Sequence, residues 1–243
     1  TGSSWLIHYS ICLPSLACDE LLLSAAKGDK GESFRCFTVR AGDLLVGDRV
    51  YGVRPGIAYV VKHGGDVLTR FALSNLPLCN EQGQKFDLLR RLGHLRPRQI
   101  GDWPVRLIED GEPAIDGRVV AIARTRQAAE QAQQQVRRQA QKHGGAQVRP
   151  ETLESAKYIF VFTTAPREEL SGAQALEMYR GRWQIELVFK RLKSILGLGH
   201  LRKTDPEASK AWLQGKLLVA FLVEALIRCG ESFFPWGWRL DES

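Results

Sequence analysis

Hydrophobic and polar positions alternate at the start of the chain, where an apolar side chain recurs at every second residue from 5 to 11. This period predicts a strand over residues 5–12, and a second strand is predicted over 16–23. Residues 34–39 form a short apolar segment that predicts a third strand. The apolar run 44–46 predicts a buried central strand, followed by a short helix over 55–63 and a strand over 66–73.

The pattern changes between residues 74 and 156. Residues 105–108 and 118–123 predict strands of a small sheet, and residues 121–143 form a helical stretch rich in Gln, Ala and Arg. This stretch is polar on every side, which is typical of a solvated arm rather than a core helix. DNA contact by its arginines is the functional alternative. An exposed Trp103 would be suited to stacking on a base.

Residues 157–163 predict a strand, and the following segment predicts a helix that includes 179–193. At about 100° per residue, five polar side chains of this helix lie within an arc of roughly 80°, and apolar side chains fill the opposite arc. The polar side chains are Tyr179, Arg182, Glu186, Lys190 and Lys193. An ion-pair ladder on a solvated helix is the simpler interpretation. Residues 207–228 predict an amphipathic helix packed on the core.

Charge changes the interpretation of the 179–193 helix. The 243-residue chain has a formal net charge of +7, and residues 179–203 contain seven basic side chains against the single acid Glu186. Almost all of the excess positive charge is therefore concentrated in one segment. A concentrated basic surface favours binding to a phosphate backbone.

Composition and motif searches exclude several classes of function. Hydrophobic residues make up 44% of the chain, enough for a globular core. The five cysteines form no C-x-x-C pair, which indicates reduced thiols rather than zinc ligands or disulfides. There is no phosphate-loop motif, so nucleotide binding is not expected. The longest apolar run, 217–227, is interrupted by Glu224 and is too short to cross a membrane.

Asp48 lies just beyond the predicted central strand 44–46. Open sheets place ligand-binding groups at the carboxyl ends of such strands. An aspartate that only opens a turn is the alternative.

Two of these motifs resemble one protein family. The spacing Tyr179-x2-Arg182-x3-Glu186-x6-Lys193, with the Leu-Gly-Leu-Gly-His-Leu-Arg that follows, resembles the signature of bacterial insertion-sequence transposases that carry an Asp-Asp-Glu triad. The segment Gly-Asp48-Arg49-x-Tyr-Gly resembles the part of that family with the second catalytic aspartate. The two motifs occur in the family's order.

The resemblance implies an α/β fold, a ribonuclease H-like mixed sheet with flanking helices, interrupted by a mostly β insertion with a polar helical arm. It places the catalytic core at 1–75 and 157–203, the insertion at 76–156 and a C-terminal helical segment at 204–243. The implied activity is metal-dependent DNA cleavage and strand transfer in cut-and-paste transposition.

The resemblance also implies roles for individual residues. Asp48 and Glu186 would be catalytic acids that bind two Mg²⁺ or Mn²⁺ ions, since hard cations prefer carboxylate oxygens. The DNA-binding residues would be Arg49, Tyr179, Arg182, Lys190 and Lys193. The implied partners are double-stranded DNA, both the terminal repeats and the target, and a second copy in a synaptic complex. The implied location is the bacterial cytoplasm.

One member of the triad has no match in the chain. The first aspartate of the family is expected on a strand upstream of Thr1, so the chain as given is expected to be truncated and to cleave no DNA. Two other classes of function stay open. A non-catalytic DNA-binding remnant that inhibits transposition, or a structural RNA-binding protein, would use the same basic surface.

Overall fold

The computed structural model describes residues 5–25, 31–109, 111–142, 147–195, 197–198 and 205–233. In chain order the strands are β1 (Trp5–Ile11), β2 (Cys18–Ala25), β3 (Leu44–Gly47), β4 (Asp66–Thr69), β5 (Leu78–Cys79), β6 (Ile100–Leu107), β7 (Ile115–Ala123) and β8 (Tyr158–Thr163). The helices are α1 (Arg54–Lys62), α2 (Leu88–Gly93), α3 (Arg126–Lys142), α4 (Pro150–Ser155), α5 (Gly172–Gly181), α6 (Trp183–Ile195) and α7 (Pro206–Phe233).

The chain divides into two compact units. The larger unit, Glu32–Arg182, contains β3 to β8 and α1 to α5. The smaller unit combines Thr1–Gly31 with Trp183–Ser243.

The larger unit is built on a six-stranded mixed sheet with the order β3-β4-β8-β7-β6-β5. Strands β3 and β4 are parallel, and each other neighbouring pair is antiparallel. Alternate residues of each strand point to opposite faces. Val67 packs with α1 and α2 on one face, whereas the next residue, Leu68, packs with α5 on the other. This mixed sheet with flanking helices is the predicted ribonuclease H-like architecture, which is confirmed.

The predicted strands at 105–108 and 118–123 exist as parts of β6 and β7, but they do not form a separate small sheet. Strand β7 pairs with β8 from Arg118 to Ala123, so both strands belong to the six-stranded sheet. This pairing joins a strand of the predicted insertion, 76–156, to a strand of the predicted core segment, 157–203. The predicted domain bounds 1–75, 76–156, 157–203 and 204–243 stay predictions.

The helical arm is α3, which begins later than predicted because β7 continues to Ala123. Every side chain of α3 is at least partly exposed. The Gln133 side chain donates a hydrogen bond to the Leu153 carbonyl at 2.9 Å, which joins the arm to α4.

The predicted strand at 34–39 is wrong. Residues Phe34–Cys36 form a single 3-10 turn, and the Ser33 hydroxyl accepts a hydrogen bond from the Arg35 amide at its start. The Phe34 ring is buried and packs against Tyr51, with ring centroids 4.9 Å apart. A local side-chain cap and aromatic packing thus replace strand pairing.

In the smaller unit, the antiparallel hairpin β1–β2 packs with α6 and α7. Tyr9 lies at the centre of this core, with its ring 6.2 Å from Phe189 and 6.3 Å from Phe221. His8 is buried, and its Nε2 lies 2.8 Å from the Ser24 hydroxyl, as befits a structural histidine.

Helix α7 packs on the core with only part of its apolar surface. Leu213 and Leu217 are buried, whereas Leu222 and Leu226 are 55% and 70% exposed. Within the part of the chain that the structure describes, no helix combines the length and apolar character needed to span a membrane.

Candidate active site

Three strands of the large unit end at the same edge of the sheet. Strands β4 and β7 are both antiparallel to β8 and therefore run in the same direction, and β3 is parallel to β4. The first residue beyond each of these strands is polar: Asp48 after β3, Arg70 after β4 and Arg124 after β7. The topology thus brings one carboxylate and two guanidinium groups to one edge.

Asp48 is fixed by its own turn and by β4. Its Oδ1 accepts a hydrogen bond from the Val50 amide at 2.8 Å, and its carbonyl accepts one from the buried Thr69 hydroxyl at 2.7 Å. Asp48 therefore does open a turn, as the simpler interpretation required. Its carboxylate is only half-buried, and Val50 is the one described residue that donates a hydrogen bond to it.

Tyr179 and Arg182 lie close to Asp48. The Arg182 guanidinium is 5.7 Å from the centre of the Tyr179 ring. Burial raises the pKa of the Tyr179 phenol; the positive charges of Arg182 and Arg70 act against this shift, and the negative charge of Asp48 adds to it. The phenol is therefore protonated at neutral pH and able to donate a hydrogen bond.

Arg70 was not singled out from the sequence, and Arg124 was considered only as one of the arginines of the predicted helical arm 121–143, not as a residue of the sheet edge. Both side chains are partly buried, and the buried Nε atom of each has no hydrogen-bond partner among the described residues. Burial lowers the pKa of both guanidinium groups, and that of Arg70 is lowered further by the nearby charges of Arg49, Arg124 and Arg182. Arginine keeps its charge in proteins. This edge is therefore a cluster of like charges, and an anion would relieve their repulsion.

A signal for these two arginines was present in the sequence. Each follows a strand directly, as Asp48 does. The predicted strand 66–73 extended past Arg70, and the predicted helix 121–143 included Arg124. Because of these errors in the element bounds, the sequence analysis did not place either residue at the edge of the sheet.

The single helix predicted over 179–193 is wrong. Helix α5 ends at Gly181, α6 begins at Trp183, and the Arg182 amide between them donates to the Tyr179 carbonyl at 3.2 Å. Glycine is a poor helix former, and a bond to the third preceding residue closes the final turn of α5.

The break also divides the predicted site. Tyr179 and Arg182 belong to the unit with Asp48 and the exposed Arg49, whereas Glu186, Lys190 and Lys193 belong to the smaller unit. The latter three side chains are exposed and line an open surface depression of about 590 Å³ with Phe189 and Ser194. The approach of Asp48 to Glu186 therefore stays a prediction. Of the predicted motif at 196–202, the structure describes only Gly197 and Leu198, and Lys203 also lies outside the described residues.

The donor chemistry at Asp48 suits a hard divalent cation, since carboxylate oxygens are the preferred ligands of Mg²⁺ and Mn²⁺. A complete ligand set would need further acids. Within the residues described by the structure, no group of three or more His, Cys, Asp or Glu side chains is placed to hold a metal ion.

Comparison with known proteins assigns the chain to a family. The family model of the transposase DDE domain matches residues 32–222. The chain belongs to the DDE transposase family. The matched range contains the residues after β3, β4 and β7, together with α5 and α6.

The relatives of this DDE domain are also named as transposases. The chain is 32% identical over 204 residues to the putative transposase InsL for insertion sequence element IS186A of Escherichia coli K12, covering 82% of this chain and 55% of that protein. The transposase for insertion sequence element IS421 of Escherichia coli gives the same identity and coverage.

A more distant relative is the transposase for insertion sequence element IS231F of Bacillus thuringiensis subsp. israelensis. It is 25% identical over 210 residues, covering 80% of this chain and 44% of that protein. This DDE domain thus spans about half the length of the curated relatives that it matches. No solved structure matches it.

Gly52 is expected to be essential for the turn that carries Asp48. A β-carbon at this position would lie 2.9 Å from the Phe71 Cα and would also clash with the Arg70 carbonyl. We expect Gly52→Ala to reduce the free energy of unfolding by about 1–3 kcal/mol, because the backbone beside it must shift. Urea unfolding of the purified chain measures this change.

Gly93→Ala is the matched control. A β-carbon at Gly93 would meet no described atom within 4 Å, and this residue ends α2. Alanine there should leave stability unchanged or raise it by up to about 1 kcal/mol. Equal effects of the two substitutions would show that the close approach at Gly52 does not constrain the turn.

Proposed function

We propose that this chain supplies the DNA-cleaving part of a transposase, which cuts the ends of an insertion sequence and transfers them to target DNA. The observation that supports this proposal is the cluster of Asp48, Tyr179 and Arg182 at one sheet edge within the family match. The names of the relatives support the substrate class, since each is named as a transposase or putative transposase for an insertion sequence element.

In the proposed site, Asp48 and Glu186 are two of the carboxylates that hold two Mg²⁺ or Mn²⁺ ions. Such ions, when bound, stabilise the attacking and leaving oxygens of a phosphodiester exchange. The chain's own contribution at Asp48 is orientation. The Val50 amide and the Thr69 hydroxyl fix the turn, so the carboxylate keeps one position at the end of β3.

The basic residues of the proposed site hold the DNA. Arg182 and Arg49 bind phosphates that flank the cleaved bond, because a guanidinium group matches the geometry of a phosphate. Tyr179 donates a hydrogen bond from its protonated phenol. Lys190 and Lys193 bind further phosphates as flexible point charges.

The proposed partners are the terminal repeats of the element, the target DNA and a second copy of the chain in a synaptic complex. The proposed location is the bacterial cytoplasm, where such an enzyme meets its DNA. The family match and the organisms of the relatives support these proposals.

The test is Mg²⁺-dependent cleavage of DNA that carries the terminal repeats. We expect cleavage from a chain extended to the length of the relatives and none from these 243 residues alone, because Asp48 and Glu186 match only two of the three acids that the family resemblance implies. Equal cleavage by both chains would show that the 243 residues contain the complete site. DNA binding without cleavage by the extended chain would favour a non-catalytic inhibitor, and preference for structured RNA would favour an RNA-binding protein.

A further inference from the structure

The basic edge of the sheet continues beyond the candidate active site. Strand β6 is antiparallel to β7, and Ile100 at the start of β6 pairs with Ile122 near the end of β7. Arg98 precedes Ile100 by two residues, and Arg124 follows Ile122 by two residues. The loop before β6 therefore lies at the same edge as Asp48, Arg70 and Arg124.

This loop presents cations in a defined turn. The Gln99 side chain accepts a hydrogen bond from the Arg96 amide at 3.0 Å, and the Gln99 amide donates to the Arg96 carbonyl at 3.0 Å. Arg98 has a φ of 66°, which non-glycine residues rarely adopt, and its side chain is exposed. Such strained residues often occur where a loop binds a ligand. Residues 90–98 contain four arginines and His94 and no acid.

Five arginines thus follow the edge across the strand order β3-β4-β8-β7-β6. They are Arg49, Arg70, Arg124, Arg98 and Arg96, and we name them the arginine row. None of the five has an ion pair with a described residue, and Lys157, at the same edge before β8, is paired with Glu154 at 2.6 Å. Asp48 is the acid that begins the row.

The length of the row can be compared with DNA. Four strand spacings of about 4.8 Å separate β3 from β6, and the register places Arg98 and Arg124 four residues farther along the strand direction than Arg70. The row therefore runs obliquely across the sheet edge over roughly 23 Å. Successive base pairs rise about 3.4 Å along the duplex, so this length corresponds to about seven nucleotides. Arg70 and Arg124 are held by partial burial, and each has an Nε atom without a described partner.

We propose that the arginine row binds the backbone of duplex DNA over about seven nucleotides leading away from Asp48, and that Arg96 and Arg98 form its far end. This inference rests on the proposed function, because it takes the DNA cleaved at Asp48 as the ligand. It adds Arg70, Arg96, Arg98 and Arg124 to the DNA-binding residues.

Binding of the 243-residue chain to a terminal-repeat duplex, measured across a salt series, tests the row. Each phosphate contact contributes about 0.9 to the slope of log K against log salt. The variant with Arg96→Gln and Arg98→Asn should lower the slope by about 1.8 and weaken binding roughly 30-fold at 0.15 M salt. Asparagine is chosen at 98 because it tolerates a positive φ.

The matched control neutralises two exposed cations at the amino ends of β3 and β4, with Arg40→Gln and Lys62→Gln. Its slope should equal that of the unchanged chain. Arg124→Gln is an independent variant from another element, and it should lower the slope by about 0.9. Circular dichroism verifies that each variant is folded.

The outcomes separate this inference from the proposed function. Salt-dependent binding with an unchanged slope in both row variants would overturn the row and leave Asp48 and Glu186 as proposed. A control that lowers the slope as much as the row variant would also overturn it. Equal competition by duplex RNA would overturn the assignment to DNA. Absence of DNA binding by the unchanged chain would overturn both proposals.

Discussion

Substitution of Asp48 by Asn or Glu186 by Gln is expected to reduce DNA cleavage by a factor on the order of 1,000, comparable with the loss of a main electrostatic group in an active site. Each substitution retains the size of the side chain and removes its negative charge. A neutral amide is a poor ligand for a hard divalent cation that needs near-ideal geometry. The measurement is single-turnover cleavage of terminal-repeat DNA by a chain extended to the relatives' length.

Glu177→Gln is the matched control, because Glu177 is an exposed acid on α5 that forms a surface ion pair with Arg180 at 2.9 Å. Its cleavage rate should equal that of the unchanged protein. DNA binding by the Asp48 and Glu186 variants should be retained or strengthened, since each variant loses a negative charge near phosphate. Full cleavage by Glu186→Gln would restore the ion-pair ladder on a solvated helix as the better account of Arg182, Glu186 and Lys190.

Local patterns in the sequence were sufficient for much of the sheet. The apolar run at 44–46 became β3, and Asp48 followed it at the sheet edge, because a buried strand and the polar residue at its end are encoded by adjacent positions. The strand predicted at residues 34–39 is wrong, and the reason is also local. The Ser33 cap competes with strand pairing, and apolar composition alone does not reveal that competition.

Other features required knowledge of strand order. Arg70 and Arg124 are 54 residues apart in the sequence, and their charges interact because β4 and β7 both pair with β8 in the same sense. Likewise, the register of β6 with β7 brings the loop at Arg98 to this edge. The hydrophobic period relates residues that are close along the chain, so it does not predict which distant residues are brought together by strand pairing.

Asp102 and Arg118 form the buried ion pair that connects the sheet to the helix of the candidate site. Arg118 on β7 contacts the Asp102 carboxylate on β6 at 2.7 Å, and their side chains are 8% and 13% exposed. Arg118 also donates hydrogen bonds to the carbonyls of Ala165 and Leu170. These carbonyls lie in the segment that leads into α5, which carries Tyr179.

Arg118→Met is therefore expected to reduce the free energy of unfolding by about 3 kcal/mol, even though methionine fills much of the same space. The substitution leaves the Asp102 carboxylate buried with a weaker partner, Arg167 at 3.3 Å, and two carbonyls without their donor. For a chain of this size, the loss corresponds to a fall in Tm of roughly 6–12 °C. Thermal unfolding measures it, and hydrogen exchange of the α5 amides should accelerate because the segment before α5 is released.

Arg106→Met provides the comparison on the same two strands. Arg106 pairs with Asp116 at 2.6 Å, but these side chains are 38% and 79% exposed, so the pair should contribute no more than about 1 kcal/mol. A similar small loss for Arg118→Met would show that the buried pair does not stabilise the sheet. Slow exchange in α5 of the Arg118 variant would further show that the start of this helix is positioned by the Ser171–Gln174 capping box alone.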